Sequence, residues 1–243
     1  MKRQLHTMMA IAAGCLLVLS ANFSTAAVSR ANPNPRIALP NSWPLGSTYN
    51  DWVVMALQWY YSIPTTAETP SARVFGNMVV PPPAGFIGVT IPVTMTVGQF
   101  FFVPICFNTW ANTPGDWGYD HPWSDPYTDP YTGIEYPTYE AWAREMMKLG
   151  MDTYHPTSTI DGKPVRSIDF YRMQTGLFEL WVPEDNPWDW PPYYDLPEGT
   201  YSPCFADGWF AILVPMTPGK HTVTNAIGEG YFVTYEITVT ASE

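Results

Sequence analysis

Cys204-Phe205-Ala206-Asp207-Gly208-Trp209-Phe210-Ala211-Ile212-Leu213-Val214-Pro215-Met216-Thr217-Pro218-Gly219-Lys220-His221-Thr222-Val223 decides the fold. With it goes Tyr231-Phe232-Val233-Thr234-Tyr235-Glu236-Ile237-Thr238-Val239, after a Gly-rich turn. The run from Trp209 to Val214 is apolar without interruption, so both faces of that strand are expected to be covered. Pro218-Gly219 suits a type II turn, proline presetting φ and glycine accepting a positive one. In the last stretch Val233, Tyr235, Ile237 and Val239 alternate with Thr234, Glu236 and Thr238. That period of two is a half-buried antiparallel strand. Three strands joined by two turns are therefore expected here.

Upstream, residues 89–97 alternate in the same way, with Val89, Ile91, Val93, Met95 and Val97 on one side. Residues 100–107 form a second unbroken apolar strand, which carries Cys106. A short strand fits 73–80, a hairpin fits 158–165 around Asp161-Gly162, and strands fit 168–173 and 177–182. Two helices interrupt this pattern. In 47–62, Trp52, Met55, Ala56, Trp59 and Tyr60 fall at helical spacing, with Ser47 or Asn50 as cap and Pro64 as stop. In 138–151, Thr138 caps a helix lined by Trp142, Met146 and Leu149. The expected fold is mainly β: a single antiparallel sandwich, jelly-roll or Ig-like, of about eight to ten strands. The two helices are expected at its periphery.

The first 26 residues read as a signal peptide. Lys2 and Arg3 precede a short apolar region, and Ser24-Thr25-Ala26 is a small-residue cleavage site. Lipoprotein anchoring at Cys15, after Ala12-Ala13-Gly14, is the weaker alternative. The chain then reads as secreted or periplasmic, and no later segment is apolar enough to span a membrane. Residues 27–46 are Pro- and Asn-rich and read as a linker, leaving 47–243 as the single domain. Removing residues 1–26 takes away two of the eleven Lys and Arg and none of the 22 acids, so the remaining 217 residues carry −13. So acidic a chain is not a nucleic-acid binder. Cys106 and Cys204 survive export, and one disulfide between them is the simplest expectation. It would close a loop of about 98 residues, worth roughly 4–5 kcal/mol by chain entropy.

Two long loops stand apart from this framework. Residues 108–137 hold Trp110, Trp117, Tyr119, Trp123, Tyr127, Tyr131 and Tyr136 among Asp116, Asp120, Asp125, Asp129 and Glu135. Asp-Pro-Tyr-Thr occurs there twice, from Asp125 and from Asp129. Residues 183–202 hold Trp188, Trp190, Tyr193 and Tyr194 beside Glu184, Asp185, Asp189 and Asp195. Indole and phenol rings stack on the apolar faces of sugars, and carboxylates accept from hydroxyls. Trp117, Tyr119, Trp123, Tyr127, Trp188 and Trp190 are therefore the candidate ligand-binding residues. A polysaccharide or cell-surface polymer is the candidate partner. Ca²⁺ is a conceivable cofactor, although the spacing of the acids is not that of an EF-hand. Equally, the loops could fold onto each other and bury their rings.

Catalytic and metal signals are sparse. No Gly-x-Ser-x-Gly, Cys-x-x-Cys or paired His-x-x-x-His occurs. Asp207 and His221, expected on neighbouring strands, are candidates for a proton-transfer dyad. Asp120, His121 and His155 flank the second helix and are candidate metal ligands. An extracellular hydrolase or metal-dependent enzyme is the alternative to a binding or structural module.

Several pieces, in this order, resemble a family of secreted bacterial proteins of unassigned function. They are the tryptophan helix ending in Ser62-Ile63-Pro64 and the strand from Val97-Gly98 into Asn108. Next come Ile160-Asp161-Gly162-Lys163-Pro164-Val165 and the strands over 171–183. Asp207-Gly208-Trp209 and Pro218-Gly219-Lys220-His221-Thr222 complete the set. The resemblance covers most of the chain outside the two loops. It implies a shared fold, sandwich-like in its C-terminal half, and brings no activity or site residue with it.

Overall fold

The computed structural model describes residues 32–66, 70–84, 88–113, 121–186 and 196–241. The signal-peptide reading and Cys15 lie outside these residues. Helix α1 (Tyr49–Tyr61) leads into the hairpin β1 (Arg73–Phe75) and β2 (Met78–Val80). β3 (Val89–Thr96) and the long β4 (Phe100–Ala111) follow. A small ribbon, β5 (Tyr127–Thr128) with β6 (Glu135–Tyr136), precedes α2 (Tyr139–Met151). The hairpin β7 (Thr157–Ile160) and β8 (Lys163–Pro164) comes next. After it are a 3₁₀ turn, Ile168–Tyr171, and β9 (Arg172–Gln174). β10 (Phe178–Val182), β11 (Gly199–Leu213), β12 (Gly219–Ala226) and β13 (Phe232–Thr240) complete the chain. The strand expected over 168–173 is thus mostly a 3₁₀ turn.

The fold is mainly β, a two-sheet sandwich carrying two helices. The first sheet runs β1-β2-β4-β11-β10, with β9 beside β11 farther along the same edge as β10; the second runs β3-β13-β12-β7-β8. Most pairings are antiparallel, but β2–β4 and β3–β13 are parallel. Val79, Phe101, Val103, Phe205 and Ala211 of the first sheet pack with Ile91, Val93, Val223, Tyr235 and Ile237 of the second in one core. Phe101 meets Tyr235 edge to face at 5.8 Å. Asn225, fully buried, donates across the gap to the Pro104 carbonyl (3.1 Å) and accepts from the Ser158 hydroxyl (2.8 Å).

The unbroken apolar runs are explained by what lies behind the first sheet. α1 lays Trp52, Val53, Ala56, Leu57 and Tyr60 on its outer face, against Met78, Val80, Phe102, Ala206, Phe210 and Ile212. α1 therefore covers the outer face of the first sheet. Each fully buried Phe on this sheet contributes about 1.5–3 kcal/mol of burial. The cap of α1 is Thr48, whose hydroxyl accepts from the Asp51 amide (3.1 Å) while the Asp51 carboxylate accepts from the Thr48 amide (2.8 Å). That reciprocal box outcompetes Ser47 and Asn50 because it satisfies two donors at once. Thr138 caps α2 as expected. No helix of the described residues is long and apolar enough to cross a membrane.

Two sequence expectations are corrected. The body starts at Asn34, within the stretch read as linker. Ile37 is buried and bridges Leu213, the Ala38 amide donates to the Ile212 carbonyl (2.9 Å), and Val214 donates to Arg36 (3.0 Å). Cys106 and Cys204 are free thiols and form no bridge. They sit on adjacent strands, but Cys106 pairs with Trp209 and Cys204 with Ala111. Five residues of register put them roughly 17 Å apart along the sheet, beyond the roughly 7 Å Cα limit. Cys106 lies in the core between the sheets and Cys204 in a separate cluster with Leu180 and Val182. Burial pushes the Cys106 thiol up to about 11 and that of Cys204 to about 12.

Candidate functional site

Asp207 and His221 lie on strands of different sheets, because residues 214–218 carry the chain from one sheet to the other. Each is committed to a separate contact. Asp207 is 1% exposed. It accepts from Arg172 Nε at Oδ1 (2.9 Å), and at Oδ2 from Arg172 Nη2 (3.1 Å) and Gln174 Nε2 (2.9 Å). Arg172 also reaches the Asp152 carboxylate and the Lys148 carbonyl at the end of α2, and lies over the Trp209 ring at 4.9 Å. The bonds from Asp207 raise the Arg172 pKa above its usual value, with Asp152 adding to it against the opposing effect of burial. The cluster fastens β9 and α2 to β11.

Asp207-Gly208-Trp209 is thereby accounted for as a unit of the fold. A Cβ on Gly208 would lie 2.4 Å from Phe107 Cβ and 2.5 Å from the Cys106 carbonyl oxygen, so only glycine lets β4 approach. Trp209 donates its indole N–H to Asp169 (3.1 Å).

His221 meets Asp161, which the sequence offered only as a turn residue. His221 Nδ1 is 2.9 Å from Asp161 Oδ2, and Nε2 is 2.9 Å from the Thr217 carbonyl. Arg36 donates to the same Asp161 oxygen (2.7 Å), and the Thr222 amide donates to Oδ1 (2.9 Å). Partial burial raises the Asp161 pKa, but His221, Thr222 and Arg36 outweigh it and hold the carboxyl down at about 2. Asp161 also has a left-handed backbone (φ 50°). Both His221 nitrogens lie at hydrogen-bond distance from oxygens of the fold's own clasp. Ile160-Asp161-Gly162-Lys163 and Pro218-Gly219-Lys220-His221-Thr222 therefore meet as one clasp between β7–β8 and β12.

The metal candidates are not brought together either. His121 packs edge-on to Tyr127 (5.3 Å) and tilted against Tyr139 (5.8 Å), at the start of α2. His155 is exposed just beyond its end. A 13-residue helix separates them by about 20 Å. Asp120 lies outside the described residues. Among the described residues no group of three His, Cys, Asp or Glu could hold a metal ion.

Of the six ring candidates, Trp117, Tyr119, Trp188 and Trp190 lie outside the described residues. Trp123 and Tyr127 are half-buried and turned toward α2. Trp123 packs edge-on to Tyr139 (5.5 Å) and Phe205 (6.1 Å), and Tyr127 packs on Trp142 (4.8 Å). The doubled Asp-Pro-Tyr-Thr does not repeat a structure. The first copy enters β5. The second forms a turn in which the Asp129 carboxylate accepts from the Tyr131 amide (3.0 Å) and the Thr132 hydroxyl (2.7 Å). Those two bonds hold its pKa below the usual range, and Tyr131 is left 74% exposed at the tip.

What the topology does gather is the two long loops. β4 and β10 flank β11 and both end beside its start, Ala111 opposite Cys204 and Val182 opposite Gly199. The loops after β4 and β10 therefore leave toward the same end of the first sheet, two strand spacings (about 10 Å) apart across it and five residues (about 17 Å) apart along β11. Their necks are fastened. The Asn112 amide donates to Pro203 (3.2 Å), and the Glu140 amide to Trp123 (3.2 Å). Asn186, 1% exposed, donates to both Pro183 (3.1 Å) and Leu196 (2.9 Å), tying the second loop shut at its base. The Thr66 amide, after α1, donates to the Asp185 carboxylate (2.8 Å).

Trp181, on the last turn of β10 before this loop, was missed in the sequence. It is 45% exposed and pairs with the exposed Thr200. The signal lay in Glu179-Leu180-Trp181-Val182. Glu179 shares parity with Trp181, so that face points to solvent while Leu180 and Val182 point inward. Compared with protein-family models, curated proteins and solved structures, the chain matches none.

Proposed function

We propose that this chain is an exported binding module. Its aromatic-acidic loops, 112–138 and 183–198, together form one contact surface for a neutral polysaccharide or a cell-surface polymer. The observation that carries this reading is the rooting of both loops, through fastened necks, at one end of the first sheet. Rings and carboxylates that converge on a rigid base lose little freedom on binding. The hydrolase alternative rested on Asp207 and His221, and both are occupied by fold contacts.

Affinity electrophoresis of the purified protein in gels containing soluble neutral polysaccharides tests the proposal. Retardation by at least one polymer is expected, and it should be lost in Trp117→Ala, Trp188→Ala or Trp190→Ala variants that retain the wild-type far-UV spectrum. Equal mobility across all polymers would end it.

A further inference from the structure

We propose that Trp181 is the stacking platform of this surface, taking one pyranose ring of a neutral polysaccharide. The inference rests on the binding reading above and adds to it the residue that receives the sugar. Trp181 is held on a strand, with Leu180 and Val182 fully buried on the opposite face, so its ring is positioned by the sheet itself. Its neighbours on the exposed face are Thr200, directly opposite, with Glu179 and Ser202 a step along each strand. This group offers one broad ring, two hydroxyls and a carboxylate, and no cation. An anionic ligand finds nothing there to pair with, whereas a polyol finds acceptors around an apolar face.

A sugar ring is matched to a single indole. The position is consistent with the loop reading, because Trp181 lies one residue before the end of β10, where the second loop begins.

The test compares wild type with Trp181→Ala, Trp181→Phe and Trp43→Ala. Trp43 is also exposed, at 68%, but precedes α1 and serves as the control. Dissociation constants for soluble β-glucan, mannan and xylan are measured by titration calorimetry. Trp181→Ala should weaken binding by about tenfold or more, Trp181→Phe should stay within about threefold, and Trp43→Ala should leave it unchanged. If Trp181→Ala binds as wild type while Trp188→Ala or Trp190→Ala does not, the platform is wrong and the loop surface stands. Absence of binding by wild type overturns both. Loss in Trp181→Ala of sedimentation with zwitterionic vesicles, or of a concentration-dependent dimer, would also overturn the sugar platform.

Discussion

Replacing Asp207 by Asn separates a structural role from a catalytic one. The substitution keeps the shape of the side chain and removes its charge. Arg172 then keeps one bond to the remaining amide oxygen besides Asp152 and the Lys148 carbonyl but loses the facing charge, and whichever side-chain position carries the new NH₂ faces donors. Removing one member of a buried ion pair costs about 3–5 kcal/mol. Arg172 is one-fifth exposed and retains Asp152, so the low end, about 3 kcal/mol, is expected. For a domain of this size that lowers Tm by roughly 6–12 °C. Urea unfolding followed by tryptophan fluorescence reads the difference directly. The double variant Asp207→Leu with Arg172→Met, which replaces the pair by apolar groups, should recover most of the loss. A carboxylate kept for chemistry would leave the fold intact when neutralised. A loss below about 1 kcal/mol in Asp207→Asn, or no recovery in the double variant, would refute the structural assignment.

Gly208→Ala should destabilise by about 3 kcal/mol or more, since its new methyl meets Phe107 Cα at 2.6 Å and the Cys106 carbonyl, atoms that cannot rotate away. Thermal unfolding measures it, and a wild-type Tm would contradict the close approach. Thiol titration of the unreduced protein should find Cys106 and Cys204 silent when folded and both reactive in denaturant; no reaction in denaturant would mean a bridge. Acid stability should depend on Asp161. Its folded pKa of about 2 lies below the usual 3.8, so the unfolded chain binds more protons and stability falls as pH drops from about 4 to 2. In Asp161→Asn, a residue that tolerates the left-handed backbone, stability at pH 7 should fall and this part of the acid slope should vanish. An unchanged slope would show that the clasp does not contribute.

The parts of the fold legible in the sequence were those set by local pattern. Alternation gave β3 and β13, continuous apolar runs gave β4 and β11, and Thr138 gave the start of α2. Pairing was not legible, because Val89 and Val233 look alike whether they meet in parallel or not. The disulfide expectation failed for the same reason: two cysteines on neighbouring strands say nothing of register. Asp207 and His221 looked like neighbours because few residues separate them. Pro215 and Pro218 lie in the segment that crosses between layers instead of closing a hairpin. Trp181 was readable from Glu179 beside it, yet the apolar count of the strand concealed its outward face. The Asp161–His221 contact joins a turn to a strand 60 residues away, and no local pattern announces it.

The parallel pairing of β3 with β13 has a consequence for the order of events as the chain is made. Val89 through Thr96 find their partners in Val233 through Thr240, some 144 residues later. β3 cannot join the second sheet until β13 arrives, because β13 stands between it and β12. A nascent chain short of β13 leaves Phe101 without the Tyr235 ring that packs against it. Contacts this remote in sequence also slow folding.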